Sequence, residues 1–331
     1  MKERIWFGAF APQGWKMELA AIDGAEGKWA KTLEIAMLAE ELGFDSVWLY
    51  DHFHNVPRPA HEAVFECWTT AAALSQRTSR IRLGQMVGCN SYRNPSLLAK
   101  ITSTIDVLSG GRLDWGIGAG WYEHEYKGYG FEFASNKDRI GMLRECVEIV
   151  LAMWREPSTT YAGRYYQVDG AHCDPKPIQQ PHPPVLIGGG GEQLTLRVVA
   201  RWADRSNFGG PPEAFAHKCE VLKAHCREVG RDYDEIEKTT SGEVCIRETE
   251  AELRELGTKS LWGQPFDDWA DANLVGTPEQ VCAKVEALVQ RGCRGFIPWC
   301  ADYPDDASLR LLATRVMPEF TSPAAPLGSA P

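Results

Sequence analysis

A (β/α)8 barrel of the TIM type, a closed sheet of parallel strands ringed by helices, is the fold class this sequence predicts, and three observations carry it. Eight short runs rich in β-branched and aromatic residues recur along the 331 residues, longer segments with a 3.6-residue apolar period lie between them, and turn-forming residues follow nearly every run. Strand and helix in alternation imply parallel strands joined by crossover helices. Eight such units favour a closed barrel over an open doubly wound sheet, which has fewer strands.

In chain order the predicted strands are 5–10, 45–50, 81–87, 113–118, 185–188, 205–208, 238–246 and 295–299. The segment 29–42 reads as a helix, because Ala30, Leu33, Ala36 and Met37 set an apolar stripe beside Glu40 and Glu41, and Gly43 supplies the stop. Asn94-Pro95-Ser96, Pro211-Pro212-Glu213 and Thr277-Pro278-Glu279 each place proline or an acid in a first helical turn. The segment 156–184 is long, proline-rich and aperiodic, which predicts a functional excursion over the strand mouth between strands four and five, a lid. One barrel domain is expected over 1–320. The end, 321–331, holds only Thr, Ser, Pro, Ala, Leu and Gly and is expected to be a flexible tail.

Composition narrows the function classes. A formal net charge of −10 opposes a generic nucleic-acid or anionic-membrane surface, since phosphate-rich partners need a positive field. No apolar run approaches the roughly 18 residues of a spanning helix, and Met1-Lys2-Glu3-Arg4 leads into a strand and not a signal sequence, so a cytoplasmic protein with a small-molecule partner is expected. The ten cysteines contain no C-x-x-C pair and read as reduced, mostly buried thiols.

In such a barrel the chemistry sits at the carboxyl ends of the strands. The residues found there are Gln13 after the first strand, Asp51-His52-Phe53-His54 after the second, Asn90 after the third, and Gly118-Ala119-Gly120-Trp121 followed by Glu123 after the fourth. Gly188-Gly189-Gly190-Gly191 ends the fifth, Asn207-Phe208 the sixth and Trp299 the eighth. The four glycines enter a helix expected at Glu192 and leave bare N–H groups suited to a phosphate; alternatively they only permit a tight turn. Gly116-x-Gly118-x-Gly120 lacks the spacing of a dinucleotide fingerprint. His52 beside Asp51 offers an imidazole that exchanges a proton near neutral pH, the partner that hydride chemistry requires; the bland reading is a structural histidine. Trp121, Phe208 and Trp299 supply flat walls for a fused ring, whereas Trp6, Trp48 and Trp154 read as core. His52-x-His54 admits a metal-hydrolase reading, but the later strand ends hold no matching histidines, so no metal site is expected.

Several blocks together resemble one family. Glu40-Glu41-Leu42-Gly43-Phe44-Asp45-Ser46-Val47-Trp48 leading to Asp51-His52-Phe53 is similar to the second βα unit of the bacterial luciferase-like superfamily. Thr78-Ser79-Arg80-Ile81-Arg82-Leu83-Gly84, Tyr92-Arg93-Asn94-Pro95, Asp106-Val107-Leu108-Ser109-Gly110-Gly111-Arg112 and Gly116-Ile117-Gly118-Ala119-Gly120-Trp121 resemble its third and fourth strand regions. Pro184-Val185-Leu186-Ile187 with Gly188–Gly191, then Arg201-Trp202-Ala203-Asp204, extend the match, which runs from about residue 5 to about residue 320.

The chain looks most like the branch that uses the deazaflavin coenzyme F420. That resemblance implies an oxidoreductase moving a hydride between F420 and a small organic substrate at a C=C, C=N or C–O bond, with FMN and a monooxygenase reaction as the alternative. It implies His52 as proton relay, Asp51 at the ring's polar edge, and a non-prolyl cis peptide at Met86-Val87 backing the ring. It further implies Asn90, Gly118, Ala119, Gly120, Trp121, Gly188–Gly191 and Asn207 around the coenzyme, and Gln13, His54, Trp121, Glu123, Phe208 and Trp299 around the substrate. Arg93, Lys137, Arg139 and Lys176 are expected to meet the coenzyme's acidic tail, and a homodimer is implied. The chain departs from the family's sugar-phosphate dehydrogenases at Trp121, where those carry glutamate; Glu123 and Glu125 do not align with that acid, and a less polar substrate is expected.

Overall fold

The computed structural model describes residues 4–321; the expected tail from 322 onward lies outside them. Eight parallel strands close on themselves: β1 (Trp6–Phe10), β2 (Ser46–Leu49), β3 (Arg82–Gln85), β4 (Leu113–Gly118), β5 (Val185–Gly188), β6 (Arg205–Asn207), β7 (Glu237–Ile246) and β8 (Cys293–Cys300). The circle shuts where Phe7 of β1 stands opposite Phe296 of β8 and Val47 of β2 opposite Ala9. Closure leaves none of the eight barrel strands at a sheet edge. Beyond a cis peptide at Met86-Val87, the third strand resumes as Gly88–Cys89 beside Ile117 and Gly118 of β4.

Alternation along each strand sends Phe7, Val47 and Leu83 outward under the helices and keeps their neighbours inside. A Cβ at Gly8 would stand 2.4 Å from Trp48 Nε1, and one at Gly84 2.4 Å from its Cε3, so the indole fills an interior layer that only glycine permits on both sides. Below it, Asp114 pairs with both Arg82 and Arg205, and Arg205 reaches Glu237, closing the amino end with ions.

The helices obey their local signals. The first, Ala25–Glu41, starts a turn earlier than expected, because Gly24 precedes a segment that carries Glu26 in the first turn; it ends before Gly43, whose φ of 86° suits glycine. The Asn94 side chain caps Pro95–Leu108, and Thr277 with Gln280 forms a capping box on Pro278–Val289.

The 156–184 excursion corrects an expectation. It forms an antiparallel hairpin, Thr159–Ala162 with Gln167–Ala171, whose turn leans on the helix Asn136–Arg155: Glu145 accepts from the Arg164, Tyr165 and Tyr166 amides, and the Tyr165 hydroxyl donates to Asp138 at 2.7 Å. It packs on the helical flank because Glu145 and Asp138 anchor it there, and it lines none of the rim cavity. A short strand unforeseen in the sequence, Leu274–Gly276, lies parallel to β7. All ten cysteines are free of disulfides, nine of them buried. Among the described residues, no helix is long and apolar enough to cross a membrane.

Candidate active site

A cavity of about 740 Å³ opens at the carboxyl rim, and residues from seven of the eight strand ends line it. That volume is in the range of small-molecule sites. Trp15, Asp51, His52, Met86, Val87, Gly118–Trp121, Gly188–Gly191 and Asn207 all contribute.

His52 is fixed on two sides. Its ring stacks on Trp15 at 4.0 Å with an interplanar angle of 2°, and its Nδ1 meets Glu125 Oε2 at 2.8 Å. Glu125 lies on a two-turn helix after β4, Glu123–Tyr129, and its other oxygen accepts from the Phe53 and His54 amides. Tyr92 adds a hydroxyl donor at 2.8 Å. Burial raises the Glu125 carboxyl, but the His52 ring and the two amides outweigh it and hold the acid below its ordinary range. A carboxylate on Nδ1 sets the tautomer: Nδ1 carries the proton, and Nε2 is left to exchange one at the cavity. In the sequence Glu125 stood out only as an acid out of register with the sugar-phosphate dehydrogenases' glutamate, and its helix is too short to show a period.

Asp51 is almost fully buried, and one oxygen accepts from the Cys89 amide and the Arg93 guanidinium. Burial pushes its carboxyl up, against Arg93 and that amide. Its other oxygen, Oδ1, and Asn90 Oδ1 are buried without a partner among the described residues. Buried acceptors of this kind await a donor.

The Val87 side chain rests between two glycines. A Cβ at Gly118 would come within 2.6 Å of Val87 Cγ2, and one at Gly188 within 2.8 Å of Cγ1. The glycine run itself differs from expectation: the helix begins at Thr195, after a turn at 192–194, and the Gly189 amide is spent on the Asn207 carbonyl at 2.9 Å. Gly190 and Gly191 keep amides that donate to no backbone carbonyl among the described residues. Lys218, not foreseen, lines the cavity beside Gly190 and pairs with Glu192, itself held by His217.

Other expected residues take other roles. Gln13 is buried, with its amide bridging the Tyr50 backbone and the Phe65 carbonyl, so it braces two loops. Phe208 packs on Phe215 at 4.9 Å, because its side chain turns outward from the strand end. His54 pairs with His124, and Glu123 with Lys127; neither lines the cavity. Trp299 is nearly buried, its ring covered by the Lys16 ammonium at 3.9 Å. Trp121 is exposed at the mouth and meets His52 edge-on at 5.9 Å. Of the basic residues expected at an acidic tail, Arg93 is committed to Asp51 and Glu66, Arg139 lies over Phe133, and Lys176 caps the Met153 and Glu156 carbonyls.

A family model described as luciferase-like monooxygenase matches residues 7–273. An F420-dependent glucose-6-phosphate dehydrogenase of Amycolatopsis mediterranei is 35% identical over 180 residues, 54% of this chain and 51% of that protein. The protein of the same name from Microbacterium testaceum is 31% identical over 209 residues, 62% of this chain and 61% of its own length. The chain thus spans about half to two thirds of the curated relatives it matches. Among solved structures, an F420-dependent tetrahydromethanopterin reductase of Methanopyrus kandleri superposes with a TM-score of 0.77 at 20% identity, over 96% of this chain and 100% of its own. A monooxygenase from Streptomyces bottropensis gives 0.80 at 23%, over 96% and 100%. At those identities the two share the fold.

Proposed function

Given that the chain belongs to the luciferase-like monooxygenase family, we propose that it is an oxidoreductase moving a hydride between coenzyme F420 and a small organic substrate. The observation that carries this reading is the His52–Glu125 pair, whose imidazole lines the cavity together with Val87 and the glycine run. When bound, the deazaflavin supplies or accepts a hydride; the chain supplies the rest. The orphaned Asp51 Oδ1 and Asn90 Oδ1 fit a donor edge of a planar ring, Val87 backs its face, and the Gly190 and Gly191 amides with Lys218 fit a phosphate. His52 gives or takes the proton that balances the hydride, with Glu125 stabilising the imidazolium.

Trp121 sets the substrate wall. An exposed indole at the position where sugar-phosphate dehydrogenases carry glutamate supports a flatter, less polar substrate than a sugar phosphate. The family resemblance also implies a homodimer, and light scattering tests it.

Fluorescence titration with oxidised F420 and with FMN is the first test. Saturable quenching by F420 at micromolar concentration is expected, and preference for FMN would overturn the assignment. His52→Ala should bind the coenzyme normally and lose about 10²–10⁴ in turnover. The family's description favours a second reading, a reduced-FMN monooxygenase. Turnover retained without oxygen excludes it, because oxygen is that reaction's co-substrate.

A further inference from the structure

The loop after β1 carries a cation that the proposed hydride chemistry does not use. Lys16 Nζ lies 3.9 Å from the centre of the Trp299 ring, 5.4 Å from Tyr50 and 5.7 Å from Trp15. The nearest carboxylate oxygen, Glu243 Oε1, is 4.0 Å away, beyond hydrogen-bond reach, and the other Glu243 oxygen is taken by Trp269. Lys16 Nζ therefore has cation–π and charge partners but no hydrogen-bond acceptor among the described residues. The indole N–H groups of Trp15 and Trp299 are buried without an acceptor, as are those of Trp68, Trp115 and Trp202 elsewhere in the fold. At Lys16 two such donors stand beside a buried cation, and a buried donor without an acceptor is an arrangement that folding alone disfavours.

The loop is built to hold them there. Glu18 gathers the Gln13, Gly14 and Lys16 amides at 2.8–2.9 Å, Asn55 ties down the Gly14 carbonyl at 2.8 Å, and the Val56 amide ties down that of Trp15 at 2.9 Å. Met17, next to Lys16, has φ 65°, and among the described residues it alone enters the left-handed region without being glycine. A strained backbone kept by surrounding contacts marks a position where geometry matters more than comfort. Because Trp15 stacks on His52, one indole separates the ammonium from the proton-carrying ring.

We propose that Lys16, with the indole N–H groups of Trp15 and Trp299, forms an oxygen-recognition subsite that holds the carbonyl of an α,β-unsaturated aldehyde or ketone. The inference rests on the hydride-transfer reading of the neighbouring cavity, which Trp15 and Tyr50 line and behind which Lys16 and Trp299 stand. A neutral carbonyl suits the subsite better than a carboxylate, because Glu18 and Glu243 already surround the single ammonium with two negative charges. In the reduction, a hydride from the reduced coenzyme forms the new C–H bond at the β carbon and the C=C π bond breaks. Its electron pair moves through the conjugated system onto the carbonyl oxygen as an enolate, which the ammonium stabilises. His52 then delivers a proton to the α carbon and the C=O bond re-forms. Hydride, proton and oxygen each have a separate holder.

The test uses 4-dimethylaminocinnamaldehyde, a neutral enal whose visible absorption moves to the red when a cation holds its oxygen. The full-length protein should bind it with a red shift, and the corresponding cinnamate at least tenfold more weakly. Lys16→Met should lose the shift and at least tenfold in affinity while F420 titration stays unchanged; Lys16→Arg should keep part of the shift. No shift with the unaltered protein, an undiminished shift in Lys16→Met, or equal affinity for the cinnamate would each overturn the subsite. If F420 fails to bind while the Lys16-dependent shift persists, the coenzyme assignment falls and the subsite stands.

Discussion

Glu125 and His52 meet at 2.8 Å although 72 residues lie between them in the chain, and the carboxylate spends its second oxygen on the two amides that follow His52. One acid thus fixes the tautomer of the ring and the loop that carries it. Glu125→Gln should lower turnover about a hundredfold with little change in coenzyme affinity, since the effect acts on proton transfer. The same acid has a stability signature. Its folded pKa lies below the ordinary 4.5, so its contribution is present above that value and is lost as pH falls through the folded pKa. Acid unfolding followed by circular dichroism should be shallower below pH 4.5 in Glu125→Gln, and an unchanged slope would count against the coupling.

Arg93 is a counter-ion and not a surface cation. Its guanidinium meets Asp51 at 2.6 Å in a site where the Asp51 side chain is nearly sealed from water. Removing one member of such a pair strands the other, at a cost of about 3–5 kcal/mol. Arg93→Met should therefore melt well below the unaltered protein, and Arg93→Met with Asp51→Asn should recover much of the difference. Additive losses in the double variant would refute the pairing.

Lys16 contributes more to the folded state as the pH rises. Burial lowers its pKa from 10.5 to about 8, against the pull of Glu243 and Glu18. Between those values the unfolded chain binds more protons than the folded one, so the folded state gains about 3 kcal/mol as pH climbs from 8 to 10.5. The buried thiols and phenols, among them Cys67, Cys146 and Tyr50, have raised values and act in the opposite sense over the same window. The Lys16 contribution is therefore read as a difference: between pH 8 and 10.5, urea unfolding should show the unaltered protein losing less stability than Lys16→Met, and equal losses would refute it.

Lys218 sits beside Gly190 with its ammonium on Glu192. A phosphate would compete with that carboxylate for the same charge. Lys218→Met should weaken F420 binding about tenfold in the fluorescence titration and leave the melting temperature within a degree or so, because the pair is solvent-accessible. A large drop in melting temperature with unaltered binding would reverse that assignment.

The barrel was legible because each strand bears its own signal: apolar alternation, a following turn and a capped helix such as Asn94-Pro95. The positions of Asp51, His52 and the glycine run followed from the strand ends, and that of Val87 from the family resemblance. What escaped the sequence depends on direction. Gln13 and Phe208 also stand at strand ends, but their side chains turn into loop backbone and the helical flank. Glu125 and Lys218 reach the rim from helices, where only the three-dimensional path of the chain shows which side chain arrives. The 156–184 segment carried no period because its hairpin is short and one-sided, its partner being Glu145 on a neighbouring helix.

The Val87 methyl groups, seated against bare backbone at Gly118 and Gly188, tie three strand ends into one mechanical part. A methyl added at either glycine has nowhere to go, whereas trimming Val87 to alanine opens room for it. The depth of this binding floor can therefore change only by paired substitution, and any variant with alanine at 118 or 188 should carry a smaller residue at 87 as its companion.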